Sequence, residues 1–541
     1  MFSKLKHFKR DFNQWSLLTV AIALFVAIPL FSILINLFSG VGNMWNHIVS
    51  HYLFDYISNS VILIIGTGLL TFCFGTSCAW FVAKYEFPFR KWIEKLLFLP
   101  LAIPSYIVAY TYVGLFDNGG SIIRGLQALG LPIQKIDFMN IYGLIIVLSF
   151  SLFPYVYASA RVLFLSLPKS IYESSVLLGA SNKRYFFSVV LPLASPAIIG
   201  GLFLVFMEVL NDYGAAKYYG INTFTTGIFR SWTMLEDLQS AVYLSALLVV
   251  LVFLIVGIVA WQRGKKSYAI KGNKLQENNF QRKELKGEKR MLYFFILSIP
   301  LLFGLALPVF QLIIWAVQTF DEMFNRDLLW TAIQSLLVAF FAALITLITA
   351  VALIYFSKWN HFKKINIFKR IGTIGYVIPG AIIGIGIIKS SQGFITFFSE
   401  NFNISIGYIF YGSSIVLIYA YVFRFLSVTY NPLEANSLKV GKHISESSYL
   451  LGTGKLKTLF KIDLPLLKGA LASSFVLIFI DVMKELPLTL ILKPYNIETL
   501  AISAYAYAED EMVAEAALPS LVLILIVIIL MFILKLDKRN E

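Results

Sequence analysis

The sequence has few of the residues that build metal centres, disulfides or soluble surfaces. Its 541 residues include two cysteines and five histidines, and only 14% are charged. Cys73 and Cys78 share one apolar run at a spacing that matches neither a redox motif nor a zinc site, so we interpret them as buried small hydrophobic residues. A hydrophobic content of 58% and a mean hydropathy of +0.77 indicate a membrane protein with no stretch left for a soluble ATPase or dehydrogenase domain.

Twelve apolar runs follow one another along the chain, each long enough for about 20 residues of membrane-spanning helix. Helices satisfy their own backbone groups in lipid, so the pattern predicts an all-α integral membrane protein with twelve transmembrane helices. The first run is too long for a signal peptide core and is expected to be a retained helix. The runs cover residues 15–39, 56–83, 96–116, 140–164, 191–213, 239–262, 292–320, 330–357, 371–396, 404–430, 464–488 and 513–535.

The net charge of +15 is carried by alternate loops, which the positive-inside rule assigns to the cytoplasm. We therefore expect both termini inside and no nucleic-acid partner. The cytoplasmic segments between the runs are then 84–95, 161–190, 263–290, 358–370 and 424–468.

Residues 263–290 contain ten basic and three acidic residues without an apolar period, as in a linker. This linker predicts a first half at residues 1–262 and a second half at 291–541. Six spans in each half return the chain to the same side of the membrane, so we expect two parallel six-helix repeats.

An internal repeat supports the duplication. Glu173-Ser174-Ser175-Val-Leu-Leu-Gly179 recurs in the second half as Glu446-Ser447-Ser448-Tyr-Leu-Leu-Gly452, and Leu-Pro192-Leu recurs at the same offset as Leu-Pro465-Leu. Small residues beside a glycine permit close approach of another surface, which is typical of a docking loop. We expect Glu173 and Glu446 to stabilise the starts of short helices, and Pro192 and Pro465 to begin the helices that follow.

These loops resemble the EAA motif of binding-protein-dependent ABC importer permeases, with serines in place of the two alanines. The strings Glu208-Val-Leu-Asn-Asp-Tyr-Gly214 and Asp481-Val-Met-Lys-Glu-Leu-Pro487 resemble the fused permease of ferric-iron ABC importers. The resemblance covers both halves. Related thiamine and sulfate permeases share the architecture and remain alternatives, and an ion-coupled secondary carrier is a more distant one that leaves the duplicated loops unexplained.

The resemblance implies a fused permease in the cytoplasmic (inner) membrane of a bacterium that carries ferric iron. Its partners would be the lipid bilayer, an extracytoplasmic iron-binding protein and two copies of a cytoplasmic ABC ATPase, which would dock on the coupling loops. The chain would not be an enzyme and would bind no cofactor, because ATP would be bound and hydrolysed on the partner.

Two pairs of acidic residues are candidates for the substrate pathway. Glu208 and Asp212 are four positions apart, as are Asp481 and Glu485, which predicts one helix face for each pair. Carboxylates at membrane depth are costly unless they face a cavity or a partner, and they suit a hard cation such as Fe³⁺. Lys484 would neutralise one acid of the second pair. The sequence predicts transit of Fe³⁺ past these groups without a firm metal site; the alternative is that they cap helix ends or receive a docking protein.

Other candidate motifs have ordinary structural interpretations. Gly452-Thr-Gly454-Lys455 lacks two positions of a Walker A loop, and His47 and His51 lack a third ligand. Gly380, Gly384 and Gly386 of the ninth run are expected to permit close helix packing, because they are small. Among the tyrosines we regard Tyr213, Tyr218 and Tyr219 as candidate ligands.

Overall fold

The computed structural model describes residues 13–264, 282–285, 287–359 and 365–537. In the first half, helices α1 to α13 span Gln14–Asn36, Trp45–His51, Leu53–Lys84, Arg90–Leu96, Ser105–Phe116, Ser121–Ala128, Ile141–Ser166, Lys169–Leu177, Asn182–Tyr185, Leu191–Asn211, Gly214–Tyr218, Phe224–Thr233 and Leu238–Gly264. Short 3₁₀ and π segments cover Leu99–Ala102 and Phe186–Val190.

In the second half, helices α14 to α28 span Glu288–Leu301, Leu307–Gln318, Phe320–Met323, Arg326–Lys358, Ile365–Gly372, Gly380–Phe402, Gly407–Tyr411, Ser414–Val440, Lys442–Leu450, Lys455–Thr458, Leu464–Leu466, Lys468–Met483, Pro487–Leu492, Leu500–Glu509 and Ala517–Asp537. The 3₁₀ segment Gly375–Val377 and the π segments Leu302–Ala306 and Leu459–Asp463 complete it. Within the described ranges the strands are β1 (Tyr85–Glu86) and β2 (Lys283–Glu284), which pair in parallel. The predicted all-α membrane fold is confirmed.

Among the described residues, nine helices are long and apolar enough to cross a membrane. Two further candidates are bent pairs, Arg90–Ala102 with Ser105–Ala128 at 93° and Lys455–Leu466 with Lys468–Met483 at 77°, and Ala517–Ile533 is a shorter apolar helix. Each of the twelve predicted runs overlaps one of these segments. The number of complete crossings stays a prediction.

Helix boundaries repeat at the offset found in the sequence, which is the separation between Glu173 and Glu446. The starts of α3 (Leu53–Lys84) and α17 (Arg326–Lys358) are separated by this offset, and so are those of α8 (Lys169–Leu177) and α22 (Lys442–Leu450). The duplicated elements therefore begin at equivalent positions, although the residues before them differ: Tyr52 and Asn325 in one pair, Pro168 and Gly441 in the other. Most of the predicted linker lies outside the described residues, so the division at 263–290 also stays a prediction; α13 extends to Gly264 and α14 begins at Glu288.

The first helix packs against the second half. The ring of Trp15 lies 4.7 Å from that of Trp359, and the hydroxyl of Tyr419 donates a hydrogen bond of 2.6 Å to the carbonyl of Phe25. A Cβ atom at Gly386 would collide with the carbonyl of Pro29. This contact confirms the close packing predicted for the ninth run.

Pro192 and Pro465 are the second residues of α10 (Leu191–Asn211) and α24 (Leu464–Leu466), as the sequence predicts, although helical turns precede both. The helical segment that contains Pro192 already begins at Asn182, and the one that contains Pro465 begins at Lys455. A π turn ends just before the Leu-Pro pair in both cases, and another precedes Leu307-Pro308. Because a proline ring clashes with the preceding helical turn and donates no hydrogen bond, the wider π turn accommodates it within a continuous helix.

Candidate functional site

The acid pairs do not share helix faces, because a helix ends between the two members of each pair. Helix α10 ends at Asn211 and α25 ends at Met483, so Asp212 and Glu485 lie in the connections to the next helices. The sequence signals for these breaks are Gly214 and Pro487. They lie two positions after Asp212 and Glu485 and interrupt the helical pattern. The prediction of one helix face was wrong.

Asp212 and Glu485 cap the short helices that follow them. Oδ1 of Asp212 accepts hydrogen bonds from the amides of Ala215 (3.0 Å) and Ala216 (3.1 Å). The carboxylate of Glu485 accepts from the amides of Leu488 (3.2 Å) and Thr489 (3.1 Å) and from the Thr489 hydroxyl (3.0 Å). Both acids therefore have a structural role of the kind that the alternative interpretation gave them.

All four acids nevertheless line one cavity of about 100 Å³ between the two halves, which we call the central cavity. Its walls come from equivalent positions in the repeat, since the repeat offset relates Glu208 to Asp481 and Asp212 to Glu485. The two pairs thus converge on one space in the structure. Other residues that line the central cavity include Ser105, Tyr155, Asn211, Tyr376, Arg424 and Lys484.

Each acid of the second pair has a basic neighbour. Nζ of Lys484 lies 3.2 Å from Oδ1 of Asp481, in agreement with the neutralisation expected for Lys484. Nη1 of Arg424 lies 4.0 Å from Oε1 of Glu485, and both side chains are almost completely buried. The second half therefore contributes two acids and two cations to the central cavity.

Arg424 was missed in the sequence because it was counted with the cytoplasmic segment 424–468. It lies within α21 (Ser414–Val440), and its Nη1 donates a 2.9 Å hydrogen bond to Oδ1 of Asn211. The same oxygen accepts from the amide of Gly380 at 2.7 Å, which joins the two halves. The available signal was an arginine between two phenylalanines in an apolar run, since an ionisable group at membrane depth is usually functional.

The acids of the first half contact hydroxyl groups. Oε1 of Glu208 accepts hydrogen bonds from the phenols of Tyr376 (3.0 Å) and Tyr155 (3.3 Å), and Asp212 accepts one from Ser105. Within the described part of the chain, no ion pair within 4.0 Å involves Glu208. The carboxylates of the central cavity outnumber its cations by four to two, so its formal charge is negative.

Metal ligation by clustered side chains has little support in the parts of the chain that the structure describes. Among those residues, no three His, Cys, Asp or Glu side chains lie close enough together to hold a metal ion. The rings of His47 and His51 are 4.6 Å apart, and Nδ1 of His51 is 2.7 Å from the Ser50 hydroxyl. Of the three tyrosines singled out in the sequence, Tyr213 lines the central cavity, whereas Tyr155 and Tyr376 were missed because tyrosines in apolar runs usually serve in packing.

The repeated loops form two short helices, α8 (Lys169–Leu177) and α22 (Lys442–Leu450). The expected role of Glu173 and Glu446 at the helix starts is wrong, because each is the fifth residue of its helix. Glu173 instead pairs with Lys169 at 3.2 Å, and Glu446 lies 3.7 Å from Nδ1 of His443.

Behind each helix the glycine of the motif adopts a left-handed backbone, with φ of +75° at Gly179 and +81° at Gly452. This conformation ends the helix and suits glycine. The second serine of each motif, Ser175 or Ser448, is buried, whereas the first, Ser174 or Ser447, is exposed. Each motif therefore has one small residue facing the protein and one facing outward.

Each loop exposes a pair of leucines beside its glycine. The exposed fractions are 87% for Leu177, 86% for Leu178, 89% for Leu450 and 84% for Leu451. Apolar side chains exposed in pairs at equivalent positions are typical of a surface that a partner covers.

Comparisons with known proteins agree with this architecture. Residues 72–262 match the family described as binding-protein-dependent transport system inner membrane component. The chain is 26% identical to the Fe(3+)-transport system permease protein FbpB 2 of Haemophilus influenzae over 89% of each chain. It is 30% identical to the sulfate transport system permease protein CysT of Escherichia coli over 28% of this chain and 52% of that protein. It is 25% identical to the molybdate/tungstate permease WtpB of Thermococcus kodakarensis over 38% of this chain and 78% of that protein.

The resemblance to importer permeases that the sequence predicted is therefore confirmed, and it extends through both halves. The match of residues 72–262 to a family of inner-membrane components and the apolar helices together support a multi-pass inner-membrane protein.

Proposed function

We propose, from the premise that this chain is the transmembrane permease of a binding-protein-dependent importer, that its substrate is ferric iron. The observation that carries the proposal is the central cavity, where four carboxylates and two cations from both halves surround one space. An excess of carboxylate oxygens suits a hard cation. The permease FbpB 2 of Haemophilus influenzae, which matches 89% of this chain, carries Fe(3+) in its name, and this agrees with that chemistry.

Sulfate, molybdate and thiamine are the alternatives, and the central cavity disfavours them. An oxyanion would meet more carboxylates than basic groups, although Arg424 and Lys484 are present. Thiamine is cationic but has two rings, and the cavity of about 100 Å³ is well below the roughly 300 to 1,000 Å³ typical of pockets for organic ligands. A small cation fits both its charge and its volume.

ATP hydrolysis belongs, in this proposal, to two copies of a separate cytoplasmic ATPase. One copy would cover Leu177 and Leu178, and the other Leu450 and Leu451, each against the adjacent glycine turn. Glu173, Ser174, Ser175, Gly179 and Pro192, with Glu446, Ser447, Ser448, Gly452 and Pro465, make up the two coupling segments. The chain itself would bind no cofactor, and an extracytoplasmic iron-binding protein would deliver the substrate.

The substrate assignment is tested by uptake in cells that contain or lack this chain. We expect radiolabelled Fe³⁺ uptake to depend on the chain, with sulfate, molybdate and thiamine uptake unchanged. Iron uptake that persists at the same rate without the chain, together with a loss of one of the other three substrates, would reject ferric iron and identify the substrate.

The orientation is tested by cysteine labelling in intact cells after Cys73 and Cys78 are replaced. We expect Leu178→Cys, in a coupling loop, to resist an impermeant thiol reagent, because both termini and both loops are proposed to be cytoplasmic. Leu129→Cys, which replaces an equally apolar residue exposed by 79%, should react because it follows α6 (Ser121–Ala128) on the opposite side. Reaction at 178 without reaction at 129 would invert the topology and remove the docking proposal.

A further inference from the structure

A second cavity adjoins the central cavity. It measures about 440 Å³, has a mainly apolar lining, and shares Leu101, Tyr155, Tyr376, Asp481 and Lys484 with the central cavity. Its own lining includes Ser427, Asn431 and Pro432, which lie beyond Arg424 along α21 towards the coupling helix α22. The second cavity therefore extends from the central cavity towards the side of the coupling loops.

The junction between the two cavities has different chemistry on the two halves. Glu208, which lines the central cavity beside this junction, accepts hydrogen bonds from two phenols, Tyr155 of the first half and Tyr376 of the second. On the second half, the equivalent Asp481 has the ammonium group of Lys484 at 3.2 Å. The position equivalent to Lys484 is Asn211, so the repeat places a cation beside only one of the two acids.

The two phenols likewise have no polar counterparts in the repeat. At the repeat offset, the counterpart of Tyr155 is Val428 and the counterpart of Tyr376 is Ile103. Neither counterpart carries a polar side-chain atom. The phenol oxygens at the junction therefore have no counterparts across the repeat, although the fold itself is duplicated.

We propose that Glu208, Tyr155 and Tyr376 form the cation contact through which a hard trivalent ion leaves the central cavity for the second cavity. The inference rests on the proposed function and names the side chains that carry it out. A carboxylate and two neutral phenol oxygens are hard donors that suit such an ion. Three donors at the junction hold the ion loosely, as a conduit requires, since an ion that binds too tightly is not released.

Asp481 and Glu485 have a different role in this proposal. Lys484 and Arg424 offset their charges, and Glu485 also caps α26. Repulsion between Lys484 and a passing cation therefore favours contact with Glu208 over contact with Asp481. The predicted pathway of four acids thereby becomes one principal contact with three supporting carboxylates.

The test uses the whole transporter, reconstituted with its ATPase and with Fe³⁺ delivered on its binding protein. The variant Tyr155→Phe/Tyr376→Phe keeps both rings and removes only the two oxygens. We expect iron transported per ATP hydrolysed to fall at least about tenfold, with the ATPase rate retained because the coupling loops are unchanged.

A matched control is Tyr110→Phe/Tyr157→Phe. The hydroxyls of Tyr110 and Tyr157 also make hydrogen bonds, to Ser520 and to the carbonyl of Glu94, but neither residue lines either cavity. This control should transport nearly as much iron per ATP hydrolysed as the parental protein does. An equal loss in both double variants would assign the effect to packing and overturn the proposal.

A second variant keeps the proposal testable if the double phenylalanine variant fails to insert. Glu208→Gln retains an acceptor oxygen for both phenols and removes the charge, and it should also lower iron per ATP at least tenfold. Parental transport by either inserted variant would reject the contact while leaving the proposed function standing. If the parental transporter itself moves no iron, the proposed function fails instead.

Discussion

The double variant Gly179→Glu/Gly452→Glu is expected to abolish transport while the protein still inserts at normal levels. A Cβ atom at either glycine would meet no other atom of this chain within 4 Å, so the new side chain has room in the permease itself. A bulky charge on this surface would instead meet the ATPase proposed to dock there, and it would stand beside the exposed leucine pairs. Uptake of Fe³⁺ and co-purification of the ATPase are the measurements, and both should be lost.

Backbone strain is separated from docking by Gly130→Glu. Gly130 has φ of +82°, a Cβ atom there would meet no atom within 4 Å, and the residue follows a short helix in the same way as Gly179. A left-handed backbone costs a non-glycine residue roughly 1–2 kcal/mol, and this cost applies equally to Gly130→Glu. The control should therefore transport normally. Normal uptake and ATPase co-purification in the coupling-loop variant would refute the docking role.

Removing one partner of the buried pair Arg424 and Glu485 is expected to destabilise the protein by about 3–5 kcal/mol, because an uncompensated charge would remain buried. Glu485→Gln leaves the guanidinium group of Arg424 with Asn211 as its hydrogen-bond acceptor. Arg424→Met leaves a carboxylate that still caps α26, so we expect it to lose less stability than Glu485→Gln does, within this range. Thermal unfolding in detergent measures both.

The double variant Arg424→Met/Glu485→Gln should be more stable than the sum of the two single losses predicts, since neither charge remains. Strictly additive losses would show that the two side chains do not interact, in spite of their 4.0 Å separation. The same coupling means that neutralising all four cavity acids together would mix a change in the pathway with a loss of stability. Single changes at Glu208 are the cleaner test of transport.

The two repeated loops and their short helices were predictable because every signal for them is local. The motif from Glu173 to Gly179 recurs in the second half with one substitution, and the structure repeats the helix Lys169–Leu177 at Lys442–Leu450. A glycine directly after a helix also predicts a left-handed turn that ends the helix, and φ is positive at both Gly179 and Gly452. Patterns of this kind depend on a few adjacent residues and not on the packing of distant helices.

The central cavity was predictable only in part because its chemistry depends on long-range packing. Spacing within one helix placed Glu208 and Asp212 together, but the helix ends at Asn211. The hydrogen bonds of Glu208 come from Tyr155 and Tyr376, which lie 53 and 168 residues away in the chain. The phenols are ordinary members of apolar segments in the sequence, and only the packing of the two halves gives them a common partner.

The central claim, that this chain passes ferric iron on energy from a partner ATPase, is tested most directly in proteoliposomes. The purified chain is reconstituted with its ATPase, and Fe³⁺ on the binding protein is supplied on the side opposite the ATPase. We predict that iron enters only when ATP is present on the ATPase side, and that proton or sodium gradients do not replace ATP. Uptake driven by an ion gradient without ATP would contradict the claim and identify the chain as a secondary carrier.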